Sequence, residues 1–236
     1  MFRWIWLLLV ILPLTAEAMV WQEGATPQKE PEGEMRQVGK VLYSPLKVFG
    51  GSCVAIGGKW VMTSRHGTDK WKPRMLHVTF PALADTVYEV KEVHFPKSGD
   101  LAMLELKKKV RGADELELAV GVDAVGKRVW LGGFGMSGPV GKVGIGGRFR
   151  AGFNRVDEVR GGKWSISLSK KGEGEDPEVV LATLDSGSPM FVETKEGWRL
   201  CGIASTASNR NNPGYGDRGN YARVDEAVEW LEQVMR

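Results

Sequence analysis

The sequence predicts an all-β body closed by one C-terminal α-helix. Apolar residues come in strand-length runs separated by Gly, Pro, Asp or Lys. Glycine is abundant, 31 of 236 residues, as a chain with many tight turns requires. Helical spacing is found at the end, where Val224, Ala227, Val228, Leu231, Val234 and Met235 recur on one face.

The length is enough for one large domain or two small ones. Thirty-two basic and 29 acidic residues leave a net charge of only +3, which argues against nucleic acid as a partner. Lys107-Lys108-Lys109 and Lys170-Lys171 are short and read as solvated edges.

Residues 1–18 read as a secretory signal. Arg3 supplies the positive start, residues 4–14 are an apolar stretch short for a bilayer, and Ala16-Glu17-Ala18 has the small-x-small form that signal peptidase accepts. The mature chain is therefore expected to be exported, secreted or periplasmic, with no stable membrane association after cleavage. Residues 19–37 are polar and rich in Pro, Gly and Glu, and read as a linker or short pro-segment.

From Val38 the strand pattern begins. Expected strands lie at 38–43, 52–56, 60–63, 76–80, 86–90 and 101–106 in a first half. A second half carries 129–131, 164–168, 179–182, 190–192 and 200–204. The charged and Gly-containing stretch 107–128 is the natural join. Asp225 is the expected N-cap of the final helix. Export permits a disulfide, and Cys53 and Cys201 are read, by a narrow margin over two buried thiols, as bridged.

Chemistry concentrates in Leu184-Asp185-Ser186-Gly187-Ser188-Pro189. A serine hydroxyl attacks only if a base takes its proton and a third group orients that base. Of three histidines, His77 and His94 sit in strand patterns, whereas His66 lies in a turn at the end of the 60–63 run. Asp100 is the last polar residue before the apolar run 101–104, where a partly desolvated carboxylate needs a donor such as an imidazole N–H.

Trp60-Val61-Met62-Thr63-Ser64-Arg65-His66 resembles the W-V-L-T-A-A-H segment of the chymotrypsin-like (trypsin-type) serine peptidases. Asp100-Leu101-Ala102-Met103-Leu104 resembles their D-I-A-L-L, and Asp185-Ser186-Gly187-Ser188-Pro189 their D-S-G-G-P. Gly202-Ile203-Ala204-Ser205 is similar to their G-I-V-S, and Gly219-Asn220-Tyr221-Ala222-Arg223-Val224 with Trp230-Leu231 to G-V-Y-T-R-V…W-I. The order His, Asp, Ser also excludes the α/β-hydrolase arrangement.

The resemblance implies two packed antiparallel six-stranded β-barrels over residues 38–236, with a cleft between them. It implies a serine endopeptidase acting on polypeptides, with Ser186 as nucleophile, His66 as base, Asp100 as orienting acid and Ser205 supporting Asp100. Backbone N–H groups of Leu184 and Ser186 correspond to the oxyanion-hole donors. Val180 corresponds to the base of the substrate pocket and Thr206, Ala207 and Gly219 to its walls, implying small or medium apolar side chains. No cofactor or metal is implied, and no segment specifies an oligomeric state.

The sequence departs from the family at four places. Leucine replaces glycine at 184, and a catalytically weak or inactive homologue acting as a binding module is the alternative that rests on it. Arg65 stands where the family has alanine, and Gly67 where it has cysteine. No I-V-G-G-like start precedes the body, so Asp185 is expected to take a cation from Arg148, Arg150 or Arg155. Finally, Gly133-Phe134-Gly135-Met136-Ser137-Gly138 spells G-x-G-x-x-G, but glycines and a proline follow it instead of a helix, so it reads as a loop between strands.

Overall fold

The computed structural model describes residues 19–144 and 146–236, so the expected leader lies outside the described residues. Strand β1 is Met19–Trp21. The first half follows as β2 (Val38–Tyr43), β3 (Val48–Gly57), β4 (Trp60–Thr63), β5 (Leu76–Phe80), β6 (Ala84–His94) and β7 (Ala102–Leu106). The second half is β8 (Arg128–Gly133), β9 (Ser137–Pro139), β10 (Arg150–Arg155), β11 (Glu158–Arg160) and β12 (Lys163–Ser167). It continues with β13 (Val179–Val180), β14 (Pro189–Thr194), β15 (Gly197–Ala207) and β16 (Arg218–Arg223), and helix α1 spans Val228–Met235.

Strands β2 to β7 close into a barrel in the order β2-β3-β4-β7-β6-β5. Period-2 alternation drives closure. In β5, Leu76, Val78 and Phe80 are buried while His77 and Thr79 face outwards. Their inward side chains join Val41, Val61 and Leu104 in the barrel core. Strand β7 is buried throughout, including Glu105, whose carboxylate is paired with Lys59 and Lys91.

The second half differs from a closed six-stranded barrel. It is an open seven-stranded sheet in the order β10-β8-β14-β15-β16-β12-β11. A separate three-stranded sheet, β13-β1-β9, shares its core: Met19, Val20, Val179 and Val180 pack with Leu131, Trp164, Met190 and Tyr221. Strands of two and three residues are too short to close the barrel by hydrogen bonding, so side chains fill its open side. A third cluster lies between the halves and includes Val54, Met62 and Met103 from the first and Trp130, Phe191 and Ile203 from the second. This mostly β architecture, with a closed barrel and a C-terminal helix, is compatible with the chymotrypsin-like fold.

Residues 19–37 are not a detached linker. Met19 and Val20 are fully buried, Gln28 bridges Ala151, and Gln37 Nε2 donates to Ala55 O at 2.7 Å. Gln22 Nε2 donates to the Glu178 carboxylate and to Glu173 O. Composition hid this because the partners of the segment are all distant in sequence.

The last helix begins with a 3-10 turn, Asp225–Ala227. Asp225 makes no capping bond; its carboxylate pairs with Arg223, an adjacent cation that competes for the same oxygens. Val224, Ala227 and Leu231 form its buried stripe.

Cys53 and Cys201 are free, which corrects the expected bridge. Cys53 belongs to the barrel core and Cys201 to the core of the second half, so each thiol is enclosed by different side chains. Burial pushes both thiols up, which makes them inert. Unfolding in denaturant with iodoacetamide and no reductant is expected to add two carbamidomethyl groups by mass spectrometry, and the native protein none. An unfolded chain that takes up none would carry a bridge.

Candidate active site

Strand pairing brings His66 and Asp100 together. Strand β4 pairs with β7 so that Thr63 lies opposite Ala102, which sets the turn after β4 beside the residues before β7. The Asp100 carboxylate accepts the His66 backbone N–H at 2.9 Å and lies 2.8 Å from His66 Nδ1. Two neighbours fix the turn. Tyr43 donates its hydroxyl to Gly67 O at 2.6 Å, and Arg65 donates to Pro96 O while lying over the Phe95 ring. Arg65 therefore ties the turn bearing His66 to the loop bearing Asp100.

Ser186 comes from the second half. Its Oγ lies 2.9 Å from His66 Nε2, which leaves the imidazole bridging Ser186 and Asp100. Behind Asp100, Ser205 donates to Oδ2 at 2.5 Å, and Lys163 Nζ donates to Ser205 Oγ at 2.9 Å. Since an ammonium can only donate, the single Ser205 proton is committed to Asp100. Burial pushes the Asp100 carboxyl up, but hydrogen bonds from the His66 ring, Ser205 and the His66 N–H outweigh it and hold it below its ordinary value.

The turn at Ser186 is anchored on the barrel. Ser52 N–H donates to Ser186 O at 2.9 Å, and Thr63 Oγ1 donates to Ser52 O at 2.8 Å. Gly187 has φ 86°, and a Cβ there would lie 2.1 Å from Ser52 O and 2.2 Å from Thr63 Oγ1. Backbone conformation and space both demand glycine.

Leu184 has φ 69°, the left-handed region that a leucine adopts at a cost of about 1–2 kcal/mol. Both sides of the loop hold it there. Thr183 O accepts Met136 N–H at 2.7 Å, and Thr183 N–H donates to Arg210 O at 2.7 Å. In a trans peptide the N–H points opposite to the C=O, so Leu184 N–H faces away from Met136. Among the described residues, neither Leu184 N–H nor Ser186 N–H donates to any group.

Asp185 is fully buried, and none of Arg148, Arg150 and Arg155 is its partner. Its carboxylate accepts the backbone N–H groups of Gly135, Ala182 and Met19. Arg155 pairs instead with Glu175, and Arg150 donates to Phe149 O. Burial raises the Asp185 carboxyl to about 7 despite the three donors. The glycine-rich loop 133–138 supplies one of them, and a Cβ at Gly135 would lie 2.5 Å from Asp185 N. Met19, which sequence reasoning passed over, thus reaches the residue next to Ser186.

The cleft at Ser186 has a volume of about 750 Å³. Ser205, Thr206 and Ala207 line it, with Leu181, Ala182, Thr183 and Leu184. The pocket reading of Val180 and Gly219 needs correction. Val180 has no exposed surface because β13 pairs it with Val20, and Gly219 is covered by Leu181, whose Cγ would lie 3.1 Å from an added Cβ. Lys163 and Arg210 also line the cleft. No motif marked either one in the sequence. Elsewhere, Glu92, His94 and Glu105 place candidate metal-ligating atoms within 4.8 Å of one another, but the Glu105 carboxylate is already paired with two lysines.

No family model matches the chain, and no curated protein matches it in sequence.

Gly187→Ala is expected to cost about 3 kcal/mol through backbone strain and the Ser52 clash. For a chain of this size, that lowers the melting temperature by roughly 6–12 °C in calorimetry. An unchanged melting temperature would show that the turn relaxes freely.

Proposed function

We propose that the chain is an exported serine endopeptidase. The observation that carries this reading is the His66 ring, with Nε2 2.9 Å from Ser186 Oγ and Nδ1 2.8 Å from the Asp100 carboxylate. Ser186 Oγ attacks a peptide carbonyl while His66 Nε2 takes its proton. Asp100 holds the Nδ1–H tautomer and stabilises the imidazolium. The negative oxygen of the tetrahedral intermediate meets the two unpartnered N–H groups, of Leu184 and Ser186. His66 then protonates the leaving amine, and water repeats the sequence on the acyl-enzyme.

Leu184 motivates the rival reading of an inactive binding module. With φ at 69° and its N–H unpartnered, it no longer separates the two readings. Leu181, which covers Gly219, lines the cleft with Ala182 and Ala207, and this apolar lining supports a small or medium apolar side chain beside Ser186. A fluorophosphonate probe is expected to label the wild type and not Ser186→Ala, with His66→Ala slowed by at least a hundredfold. A folded wild type that stays unlabelled would end this reading.

Export gives the site a further dependence. Cleavage after Ala18 turns the Met19 nitrogen, already bonded to Asp185, into an α-ammonium. The Asp185 carboxyl, about 7 when folded, lies near 3.9 when unfolded, so the folded state holds the proton more tightly. Its ionisation therefore lowers stability as pH rises from about 4 through 7. An adjacent ammonium pulls the carboxyl back down and removes that loss. The chain beginning at Met19 is expected to melt with an N-terminally extended chain near pH 4, and several degrees above it at pH 7–8. Parallel melting curves across that range would exclude the pairing.

A further inference from the structure

The cleft at Ser186 is lined by two cations, Lys163 and Arg210, and by one carboxylate, Asp100. Several cations elsewhere are paired: Arg128 and Arg155 with Glu175, Lys59 and Lys91 with Glu105, and Arg218 with Glu158. Lys163 and Arg210 both line the cleft, and among the described residues neither pairs with a carboxylate. Lys163 makes one hydrogen bond, to Ser205, so two of its three N–H donors stay free. The Arg210 guanidinium has no partner among the described residues, although Arg210 O holds Thr183.

Nothing in the cleft offsets them. Asp100 is the one carboxylate among the lining residues, and it already accepts from the His66 backbone, the His66 ring and Ser205. The neighbouring depression beyond Lys163 is lined by Glu226, which is paired with Arg223, by Glu229 and by Lys97. Two uncompensated cations in a concave site focus a field that favours negative ligands.

The backbone says where such a ligand lies. Strand β15 pairs with β14 only as far as Ile203, opposite Pro189. On its other side it pairs with β16 out to Ala207. Residues 205–207 therefore keep one unpaired edge on the cleft, where an extended peptide can add as a strand. Lys163 sits at the Ser205 end of this edge, and Arg210 lines the same cleft beside Thr183.

We propose that this cleft selects acidic polypeptide segments, with Lys163 and Arg210 reading Asp or Glu side chains that flank the residue held beside Ser186. The proposal names the substrate class of the peptidase reading and rests on that cleft being where the chain binds peptide. The apolar lining and the flanking cations act on different side chains, so both preferences hold in one sequence.

The test separates binding from hydrolysis. Fluorescein-labelled peptides of about eight residues, with Asp and Glu or with Asn and Gln at the same positions, are titrated onto Ser186→Ala by anisotropy. The acidic peptide is expected to bind at least tenfold more tightly at low salt, with the gap narrowing as salt rises. Arg210→Met and Lys163→Met should each reduce the gap up to about fivefold, the range of an exposed ion pair. Arg210→Met does not touch the Ser205–Asp100 pair, and it decides the matter if Lys163→Met fails to fold. Lys163→Glu with Arg210→Glu should reverse the order for a lysine-bearing peptide. Equal affinities, no binding of either peptide, or a preference left undiminished by Arg210→Met would overturn the proposal. An unlabelled wild type with the acidic preference intact would end the hydrolysis reading and leave this one standing.

Discussion

Ser52 fixes the two halves of the molecule to each other. Its N–H holds Ser186 O, its carbonyl accepts Thr63 Oγ1, and its Oγ accepts Phe134 N–H at 3.1 Å. Thr63 ends β4, and the turn bearing His66 starts from it. The proposed base and nucleophile are thus referred to one residue, although they arise from separate sheets. A hydrogen bond of 2.9 Å fails if either group moves by about 1 Å, so this shared anchor matters more than the strength of any one contact. Gly187 permits it, because any side chain there would drive Ser186 away from Ser52.

The sequence made the central constellation legible because its parts lie at the ends of strongly patterned strands. Strands β2, β4 and β5 fall where alternation places them, and His66 and Asp100 follow from their register. Of the strands that were missed, β1, β9 and β11 have three residues each and lack their own pattern, whereas β10 and β16 have six. Strand β1 has three residues, and its pairing with β9 and β13 reaches partners more than a hundred positions away. No local signal encodes such a contact, so residues 19–37 read as a linker or short pro-segment. The same limit hid the open second sheet, since closure depends on pairings between elements of two or three residues. Lys163 and Arg210 were invisible for another reason: an unpaired cation is defined by carboxylates that are missing around it.

Electrostatics on the two sides of Ser186 work in opposite ways. At Asp185 the chain buries a carboxylate among backbone N–H groups, and desolvation outweighs what those donors supply. At Asp100 the donors win, because a polarised serine and an imidazole face a carboxylate that keeps some contact with solvent. One carboxyl is therefore held ready to pair with a charge, and the other is already ionised to receive the His66 proton donor. The expectation of an arginine beside Asp185 failed on geometry. Arg155 pairs with Glu175, in the turn region before β13, and the Asp185 carboxylate is met by backbone N–H groups of Ala182, Gly135 and Met19.

Leu184 shows how a local penalty is sustained. A leucine at φ 69° costs about as much as one ordinary hydrogen bond returns, and the loop around it makes three. Thr183 N–H and Oγ1 both donate to Arg210 O, and Thr183 O accepts Met136 N–H. Those bonds fix the peptide plane before Leu184, which decides where its N–H points. Glycine at this position would lower the strain but would widen the set of conformations open to the unfolded chain and to the loop. Leucine is thus compatible with a preorganised pair of donors provided the flanking loop at 209–212 stays docked. The same Arg210 that supplies this carbonyl also lines the cleft, so docking of one loop sets both the donor geometry beside Ser186 and the position of Arg210 in the cleft.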